Sequence, residues 1–345
     1  MSKIIDIETF LQLSESIPVI DVRSPIEFDH AHIPGAISIP LFSDLEREKV
    51  GICYKHEGKE PAILMALEMV GPKMADLARK AKELALENKL IVHCWRGGMR
   101  SSSMAWLLNT VGIDTYTLEG GYKTYRRHIK SYFTNKIDFV VIGGMTGSGK
   151  TEILKELSKL NQQVIDFEGL ANHKGSAFGA LGQDEQCSTE QFENNLFEIL
   201  KKLDLNKQVW VEDESQTIGK IWIPEELFHQ VRSSDVIQVN LPKNERIKWL
   251  VKEYGNFSHD LLKSSIDRIK KRLGGLNHHI AIEALNNSDL EKLVDIVLAY
   301  YDKTYQYGLS QRNQQKLNIL EIDKMNHVEN AKKVLEFYLS INRIK

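Results

Sequence analysis

The sequence predicts an α/β protein in which two parallel-sheet domains follow one another. At 345 residues, the chain is longer than a usual single domain. Short apolar runs that are typical of buried strands alternate with segments of helical spacing. Two of these runs, residues 90–92 and 137–142, lead into glycine-rich loops at residues 94–100 and 144–151, and a helical segment follows each loop. We therefore expect one domain at residues 1–135 and a second at residues 136–345, whose C-terminal part is mostly helical.

The composition is that of an ordinary soluble globular protein, with 42% hydrophobic and 27% charged residues. The formal net charge of −2 excludes a global attraction to nucleic acid, so any basic binding surface must be local. The three cysteines, Cys53, Cys94 and Cys187, cannot form a disulfide framework and lack metal-ligand spacing. No signal-peptide pattern and no apolar run of membrane-spanning length is present, which predicts a cytoplasmic protein without membrane contacts.

The elements of the first domain follow from its apolar runs. Residues 18–22 are typical of a buried strand, and residues 23–28 turn into a short helix. Residues 74–87 have helical spacing and contain strong helix formers. Residues 90–92 and 116–118 predict two further strands. Because strands alternate with helices, we expect a parallel sheet, and such sheets place their ligands at the carboxyl ends of strands.

The loop after residues 90–92 contains the strongest candidate nucleophile of the chain. Its sequence is Cys94-Trp95-Arg96-Gly97-Gly98-Met99-Arg100. The glycines let the loop curl, so that its amide groups and the next helix N-terminus face the sulfur, and both favour negative charge. We therefore expect a thiolate at Cys94, with Arg96 and Arg100 as its catalytic partners. A buried structural cysteine is the alternative, but glycines and arginines do not suit a dry core position.

The first domain resembles a rhodanese domain. Residues 20–28 (IDVRSPIEF) and 31–36 (AHIPGA) resemble its opening, and residues 118–122 (LEGGY) resemble its close. The resemblance implies that Cys94 carries sulfur or selenium as a persulfide or perselenide. The loop from Cys94 to Arg100 is one residue longer than the usual sulfurtransferase loop, and its Cys-x5-Arg length resembles rhodanese-related phosphatases. A phosphatase, or a site for a phosphate-bearing chalcogen donor, therefore stays open.

Two stretches of the chain are locally basic. Residues 121–137 contain five lysines or arginines, no acid and several aromatic residues, which suits RNA through phosphate attraction and base stacking. An interdomain helix whose aromatic residues pack onto the domains is an equal alternative. The second stretch, residues 243–275, contains nine lysines or arginines against four acids and is densest at residues 268–275. A solvated helix face is the commoner meaning of such a run. The candidate nucleic-acid contacts are Arg126, Arg127, Lys270, Lys271 and Arg272.

The second glycine-rich loop is a phosphate-binding motif. Residues 144–151 (GMTGSGKT) match G-x-x-x-x-G-K-[ST] between an apolar run and a helical segment. In this motif the loop amides cradle phosphate oxygens, the lysine reaches the outer phosphate and the hydroxyl can bind Mg²⁺. The motif does not identify the phosphate compound. The expected phosphate-binding residues are Gly144, Gly147, Gly149, Lys150 and Thr151.

Further polar groups follow the next strands, which are expected at residues 164–167 and 209–211. The second of these runs ends in three competing acids: Glu212, Asp213 and Glu214. Such a strand brings a carboxylate to the metal side of the phosphates, and we take Thr151 and Asp213 as the candidates for Mg²⁺. Residues 168–179 are small, polar and glycine-rich, which indicates a substrate-binding loop. Its candidate contacts are Asn172, His173 and Ser176, and a structural role is the alternative for His173.

The combination of both loops with residues 170–179 and 209–215 resembles the tRNA 2-selenouridine synthase family over nearly the whole chain. The resemblance implies replacement of sulfur by selenium in wobble-position (U34) 2-thiouridine of Lys-, Glu- and Gln-type tRNA. It implies geranyl diphosphate and selenophosphate as co-substrates, selenophosphate synthetase as a partner and Cys94 as selenium carrier. S-geranyl-2-thiouridine is then the intermediate. We expect no tightly bound cofactor, and Mg²⁺ is the candidate metal.

Two other classes stay open at this point, a Cys-x5-Arg phosphatase and an ATP-dependent sulfurtransferase or regulatory module. The phosphate-binding motif alone suggests ATP hydrolysis. The exchange of sulfur for selenium, however, needs no phosphoanhydride cleavage beyond what its donors carry. Since geranyl diphosphate offers two linked phosphates for Lys150 and a Thr151-bound Mg²⁺, we expect this loop to activate a prenyl diphosphate.

Overall fold

The computed structural model describes residues 2–342, and its contacts divide this part of the chain into two units. The first unit comprises the residues up to Phe133 together with Glu193–Glu198. The second comprises Thr134–Phe192 and the residues from Ile199 onward. The expected division at residue 135 did not assign the segment at residues 193–198 to the first unit, because only tertiary contacts place it there.

The first unit alternates strands with helices. Its strands are β1 (Lys3–Ile5), β2 (Val19–Asp21), β3 (Ile37–Ser38), β4 (Lys89–His93) and β5 (Asp114–Leu118). Its helices are α1 (Ile7–Leu13), α2 (Pro25–His30), α3 (Asp44–His56), α4 (Lys59–Val70), α5 (Met74–Leu84), α6 (Met99–Thr110) and α7 (Gly121–Tyr132), with a short 3-10 helix at Gly71–Lys73.

The sheet of the first unit has the strand order β1-β5-β4-β2-β3, and its pairings are parallel. Every residue of β2 is buried, as is all of β4 after its first residue. This pattern is typical of parallel strands that are covered on both faces. Ile20, Leu90 and Val92 pack with Met104 and Leu108 of α6 in the core. The end of β4, where Cys94 follows, is therefore rigidly placed.

The second unit is also built on strands that alternate with helices. Its strands are β6 (Phe139–Gly144), β7 (Gln163–Ile165), β8 (Val209–Glu212), β9 (Thr217–Ile218), β10 (Ile221–Trp222), β11 (Asp235–Asn240) and β12 (Leu317–Glu321). Its helices begin with α8 (Lys150–Lys159), α9 (Phe167–Leu170), α10 (Thr189–Leu200), α11 (Glu225–Ser233) and α12 (Lys243–Tyr254), although residues 193–198 of α10 belong to the first unit. They continue with α13 (His259–Arg268), α14 (Lys270–Leu273), α15 (Gly275–Asn286), α16 (Leu290–Ser310) and α17 (His327–Asn342), and a 3-10 helix lies at Gln314–Lys316.

The main sheet of this unit has the order β12-β11-β6-β8-β7 and is parallel throughout, and β9 and β10 form a separate antiparallel hairpin. Ile142, Leu154 and Trp210 are fully buried in the sheet core. Because the five strands are parallel, the loops after β6, β7 and β8 meet at one edge of the sheet. Helices α13 to α16 enclose a second apolar cluster, which includes Leu262, Ile266 and Leu285.

The predicted α/β class with two parallel-sheet domains and a helical C-terminal part is confirmed. The expectation of a mostly helical remainder missed β11 and β12, which pair beside β6. The expected strand at residues 164–167 is shorter, because α9 begins at Phe167. Within residues 2–342, every helix is either too short or too polar to cross a bilayer.

Candidate functional site

Cys94 directly follows the carboxyl end of β4, as the sequence predicted. It is only 3% exposed, and its Sγ lies 3.3 Å from Oγ of Ser101, in the first turn of α6. The Ser101 hydroxyl also lies 3.0 Å from the carbonyl oxygen of Gly98. Because this hydroxyl has one hydrogen, it can turn that hydrogen from the carbonyl to the sulfur when Cys94 is ionised. Ser101 is therefore a built-in donor for a thiolate.

Two glycines lock the Cys94 loop in place. Gly97 has a φ of +62° and Gly121 has a φ of +60°, both in the left-handed region. A Cβ on Gly121 would lie 2.3 Å from the carbonyl oxygen of Cys94 and 2.5 Å from the amide nitrogen of Gly97. The amide of Tyr122 donates to the same Cys94 carbonyl at 2.9 Å. The first turn of α7 therefore holds the backbone at Cys94, and this packing leaves no room for a side chain at Gly121.

The two arginines of the loop differ in their surroundings. Nη1 of Arg100 donates to Oε2 of Glu27 at 2.6 Å. The amide of Ser24 donates to the same carboxylate at 3.1 Å. Burial raises the pKa of Glu27, but the hydrogen bond and charge of Arg100 outweigh it and leave this pKa below its ordinary value. Arg96 is exposed. Arg100 thus already has an anionic partner, whereas Arg96 faces solvent.

A buried ion pair supports the strand ends beside Cys94. Arg23 is 1% exposed, and its Nη2 lies 2.6 Å from Oδ2 of Asp21. The Arg23 guanidinium also lies over the ring of Tyr122, 4.1 Å from its centroid. His93 is fully buried next to this pair, and burial lowers its pKa. These side chains hold the site together and are not open to a substrate.

Helix α7 carries the first basic stretch, and its structure corrects part of the nucleic-acid prediction. Tyr122 and Tyr125 are fully buried, so their rings cannot stack on bases. Arg126 is 8% exposed and forms an ion pair with Glu193. A guanidinium that a carboxylate holds in the interior cannot reach a phosphate, which removes the support for Arg126 as a nucleic-acid contact. Arg127, its neighbour, is exposed.

The phosphate-binding loop runs from Gly144, the last residue of β6, to Lys150 at the start of α8. Gly147 and Gly149 have φ values of +81° and +79°. A Cβ on Gly147 would lie 2.9 Å from Cδ1 of Leu250, so this position also requires glycine. Nζ of Lys150 donates to the carbonyl oxygen of Gly144 at 3.1 Å. The ammonium therefore folds back over its own loop, where a phosphate oxygen could replace the carbonyl.

Three glutamates from neighbouring strand ends lie near this loop. Oγ1 of Thr151 donates to Oε2 of Glu168 at 2.7 Å. The amide of Glu168 in turn donates to Oε1 of Glu212 at 2.8 Å. A Cβ on Gly175 would lie 2.5 Å from Oε2 of Glu214 and 2.8 Å from Oε1 of Glu168, so both carboxyl groups face this glycine. The acids thus form one cluster at the edge of the sheet.

The members of this cluster bind protons more tightly than ordinary carboxyl groups. Burial and the charge of Glu168 raise the pKa of Glu214 to about 8. Burial also raises the pKa of Glu168, although the nearby charge of Lys150 opposes this change. Burial and neighbouring acids raise the pKa of Glu212 well above its ordinary value. At neutral pH the cluster therefore carries less negative charge than three free carboxylates would.

Asp213, the acid chosen from sequence for Mg²⁺, has other partners. It forms an ion pair with Arg312 and a longer one with Arg232, at 3.5 Å. Because two arginines already neutralise this carboxylate, the structure does not support Asp213 as a metal ligand. The carboxylate that contacts Thr151 is Glu168. Within residues 2–342, no group of three or more His, Cys, Asp or Glu side chains is arranged to hold a metal ion by itself.

A cavity of about 810 Å³ opens beside the phosphate-binding loop. Lys150, Thr151 and Glu214 line its polar end. Its other walls are apolar or aromatic and include Phe178, Leu250, Tyr254, Ile269, Leu293, Val297 and Tyr301. A cavity of this size and lining suits a ligand with a charged head and an apolar body.

The predicted substrate loop reaches this cavity only in part. The lining residues include Ser176 but neither Asn172 nor His173. His173 is buried, and its Cδ2 would lie 2.8 Å from a Cβ on Gly219, in the turn between β9 and β10. Burial, with a smaller effect of the Arg268 charge, lowers the pKa of His173. These surroundings therefore favour a structural role for His173 over contact with a substrate.

The second basic stretch lies on α14. Lys270 and Lys271 are exposed there. Arg272 is exposed as well, but its Nη1 lies 3.4 Å from the hydroxyl oxygen of Tyr300, and both residues line the cavity. The two lysines are thus open to a polyanion, whereas Arg272 is also part of the cavity wall.

Comparisons with known proteins agree with this arrangement of two sites. A family model described as the tRNA 2-selenouridine synthase AAA domain matches residues 137–334, and a rhodanese-like domain model matches residues 6–128. The chain belongs to the tRNA 2-selenouridine synthase family. The expected resemblance to this family is confirmed.

Individual relatives of the synthase family match most of the chain. A protein of Shewanella sediminis (strain HAW-EB3) named tRNA 2-selenouridine synthase is 33% identical over 331 residues, covering 86% of this chain and 88% of the relative. A relative of the same name from Pseudomonas syringae pv. tomato (strain ATCC BAA-871 / DC3000) is 34% identical over 331 residues, covering 84% and 88%. A crystal structure of a rhodanese-related protein from Thermoplasma volcanium is similar at 21% identity, covering 36% of this chain and 92% of that chain, with a TM-score of 0.25.

Sequence reasoning about this synthase-family chain missed Glu27, Glu168 and Tyr305. Glu168 could have been found, because it follows β7, whose end lies at the same sheet edge as the phosphate-binding loop. Glu27 lies 73 positions from Arg100 in the sequence. Tyr305 lies 161 positions from Gly144, and its hydroxyl oxygen accepts a hydrogen bond from the Gly144 amide. No local signal connects such distant partners.

We expect Glu214→Gln to stabilise the protein increasingly as the pH rises from about 5 to 8. The folded protein holds a proton on Glu214 up to a pKa of about 8, whereas the unfolded chain releases it near 4.5. The free energy of unfolding of the unsubstituted protein therefore falls across this window, and a neutral glutamine avoids that loss. Thermal unfolding at pH 5, 6, 7 and 8 in EDTA measures the effect. Exposed Glu226→Gln is the control, and a Tm difference that does not change with pH would contradict the expectation.

Proposed function

We propose that this chain replaces the sulfur of wobble-position (U34) 2-thiouridine in tRNA by selenium. Membership of the tRNA 2-selenouridine synthase family supports a tRNA-modifying enzyme. The two anion-binding loops, one at Cys94 and one at Lys150, support a division of the reaction into two steps. In the first step the sulfur receives a geranyl group, and in the second selenium displaces the geranylated sulfur.

The cavity beside Lys150 is the observation that carries the first step. It joins a phosphate-binding loop to apolar walls such as Leu293 and Val297. Geranyl diphosphate has the matching parts, a diphosphate and an apolar chain of ten carbons. Burial of each methylene contributes about 0.8 kcal/mol, so the apolar walls favour this chain strongly over water. ATP, the usual ligand of the motif, has no apolar tail to place there.

The residues at the polar end of the cavity suit the chemistry of geranyl transfer. The thiouridine sulfur attacks C1 of the geranyl group, the C1–oxygen bond breaks, diphosphate leaves and the base gives up its N3 proton. Lys150 and the loop amides would stabilise the charge that develops on the departing diphosphate. Mg²⁺, when bound, would add to this stabilisation, and Thr151 with the adjacent Glu168 fits it together with phosphate oxygens.

The second step is assigned to Cys94. Alkylation converts the sulfur into a good leaving group, and selenium then attacks C2 of the base while geranyl thiol departs. We propose that Cys94 carries the selenium as a perselenide. The selenium of selenophosphate displaces a small thiol from a mixed disulfide at Cys94, and water then cleaves the Se–P bond and releases phosphate. After the selenium has attacked C2, the small thiol cleaves the S–Se bond, which frees the selenouridine and restores the mixed disulfide; selenophosphate synthetase is the expected source of the donor. The hydroxyl of Ser101, 3.3 Å from the sulfur, and the exposed guanidinium of Arg96 can offer a hydrogen bond and a positive charge to an anionic donor at Cys94.

The phosphatase alternative is less well supported. Such an enzyme needs a carboxylic acid that protonates the leaving group. The carboxyl group held beside the loop is Glu27, and Arg100 keeps its pKa below the ordinary value. Glu27 is therefore ionised at neutral pH and cannot serve as that acid. Selenium transfer by Cys94 does not require one.

We expect Cys94→Ser to abolish 2-selenouridine while leaving thermal unfolding nearly unchanged. The serine oxygen is nearly isosteric but cannot carry selenium. If geranylation belongs to the second unit, S-geranyl-2-thiouridine should accumulate in this variant. Mass spectrometry of tRNA nucleosides from cells measures both products. Cys53→Ser and the partly exposed Cys187→Ser are the matched controls and should retain activity; normal 2-selenouridine levels with Cys94→Ser would exclude the carrier role.

We expect Lys150→Ala to lose geranylation, because the variant lacks the charge that stabilises the departing diphosphate. It should still convert a supplied S-geranyl tRNA to selenouridine, unless selenophosphate shares the loop. Single-turnover assays of both steps with purified protein, a thiol reductant and no ATP separate these results. Lys159→Ala, an exposed position on the same helix, is the control. Strict dependence of geranylation on ATP, with ADP formed in step, would restore an ATPase function.

We expect Arg127→Ala and the double variant Lys270→Ala/Lys271→Ala to weaken tRNA binding. Each lost phosphate contact should reduce the salt dependence of the affinity by about one counterion. Arg126→Ala should instead lower the free energy of unfolding by about 3 kcal/mol, because it leaves Glu193 without its buried partner. Filter binding at several salt concentrations and chemical unfolding measure the two effects. If Arg127→Ala and Lys270→Ala/Lys271→Ala both leave the affinity and its salt dependence unchanged, these positions are only solvated surface.

A further inference from the structure

Helix α16 lines the cavity beside Lys150 along nearly its whole length. The lining residues on this helix extend from Leu290 to Leu309. Among them, Leu293, Val297, Tyr301 and Tyr305 follow one another at intervals of four residues and so lie on one face. Since an α-helix rises 1.5 Å per residue, these four positions span roughly 18 Å. One helix therefore lines the cavity over a length of roughly 18 Å.

One end of this face is fixed at the phosphate-binding loop. The amide of Gly144 donates to the hydroxyl oxygen of Tyr305 at 2.7 Å. One turn earlier, Asp302 binds Arg246, whose Nη1 also donates to the carbonyl oxygen of Thr146 at 3.2 Å. Tyr305 thus marks the phosphate end of the cavity, and Tyr301, Val297 and Leu293 lie successively farther from it along the helix.

The far part of the cavity penetrates an apolar core. Leu293 and Val297 belong to the same buried cluster as Phe178, Leu262 and Ile269, and all five line the cavity. The nearby tyrosine hydroxyls have partners within the protein, since the amide of Ala177 donates to Tyr301 and Nη1 of Arg272 donates to Tyr300. A nucleoside base would leave its polar groups unpaired against such a wall, whereas a hydrocarbon chain would not.

We propose that this face of α16 sets the length of the prenyl chain that the cavity accepts, at one isoprene unit per helical turn. The proposal rests on prenyl diphosphate binding at the phosphate-binding loop, as proposed above. One turn of helix rises about 5.4 Å, which is about the length that one isoprene unit adds to an extended chain. With the diphosphate beside Tyr305, the first unit lies at Tyr301, the second at Val297, and Leu293 limits a third.

The test compares the binding of dimethylallyl, geranyl and farnesyl diphosphate to the full chain by titration calorimetry with Mg²⁺. Val297→Phe should lower the affinity for geranyl diphosphate about tenfold and leave dimethylallyl diphosphate within about twofold, because the added ring fills the space of the second unit. Leu293→Ala should raise the affinity for farnesyl relative to geranyl diphosphate about tenfold, because it opens space for a third unit. Ala299→Phe, at an exposed position outside the cavity lining, is the matched control and should change none of these affinities.

The outcomes separate this proposal from the function on which it rests. Wild-type protein that binds no prenyl diphosphate would overturn the prenyl site and the length limit together. If wild-type protein binds geranyl diphosphate through Lys150 but both variants keep the wild-type order of chain lengths, the prenyl site stands and the role of α16 is wrong. Circular dichroism checks that Val297→Phe is folded, and the gain expected for Leu293→Ala cannot result from misfolding.

Discussion

The ion pair between Arg246 and Asp302 is the interaction on which the second unit most depends. Nη1 of Arg246 donates to Oδ1 of Asp302 at 2.8 Å and Nη2 donates to Oδ2 at 2.9 Å, and the Arg246 side chain is only 4% exposed. The same guanidinium binds the carbonyl oxygen of Thr146 in the phosphate-binding loop. Because breaking a buried pair of this kind costs about 3–5 kcal/mol, α12, α16 and the loop are held as one assembly. The phosphate site and the apolar cavity therefore keep a fixed spacing.

The acids at the sheet edge show how tertiary context divides one chemical group into two roles. Asp213 and Glu214 are neighbours in the sequence, yet Arg312 and Arg232 neutralise the first, whereas burial and the charge of Glu168 raise the pKa of the second. The first carboxylate therefore contributes to the stability of the unit. The second lines the cavity and keeps its proton up to a pKa of about 8, so a charged ligand can change its protonation state.

In the first unit, close backbone packing holds the Cys94 loop in addition to the buried ion pair of Arg23 and Asp21. Gly97 and Gly121 meet at distances that no side chain could tolerate, and the start of α7 thereby fixes the backbone of Cys94. The same helix buries Tyr122 and pairs Arg126 with Glu193. The buried part of this basic and aromatic stretch thus supports the Cys94 loop, whereas Lys123, Arg127 and Lys130 are exposed to solvent.

The sequence by itself determined both loops, Cys94 and the residues Lys150 and Thr151, because an anion-binding loop needs its glycines and charged groups at fixed, contiguous spacing. It also determined the α/β class, since apolar runs between helical segments leave few other folds. Only the tertiary structure decided which side chains complete these loops. Glu27 reaches Arg100 across 73 positions, and Tyr305 reaches Gly144 across 161. Burial and long-range pairing fix the protonation and accessibility of such groups, and no local spacing in the chain encodes either property.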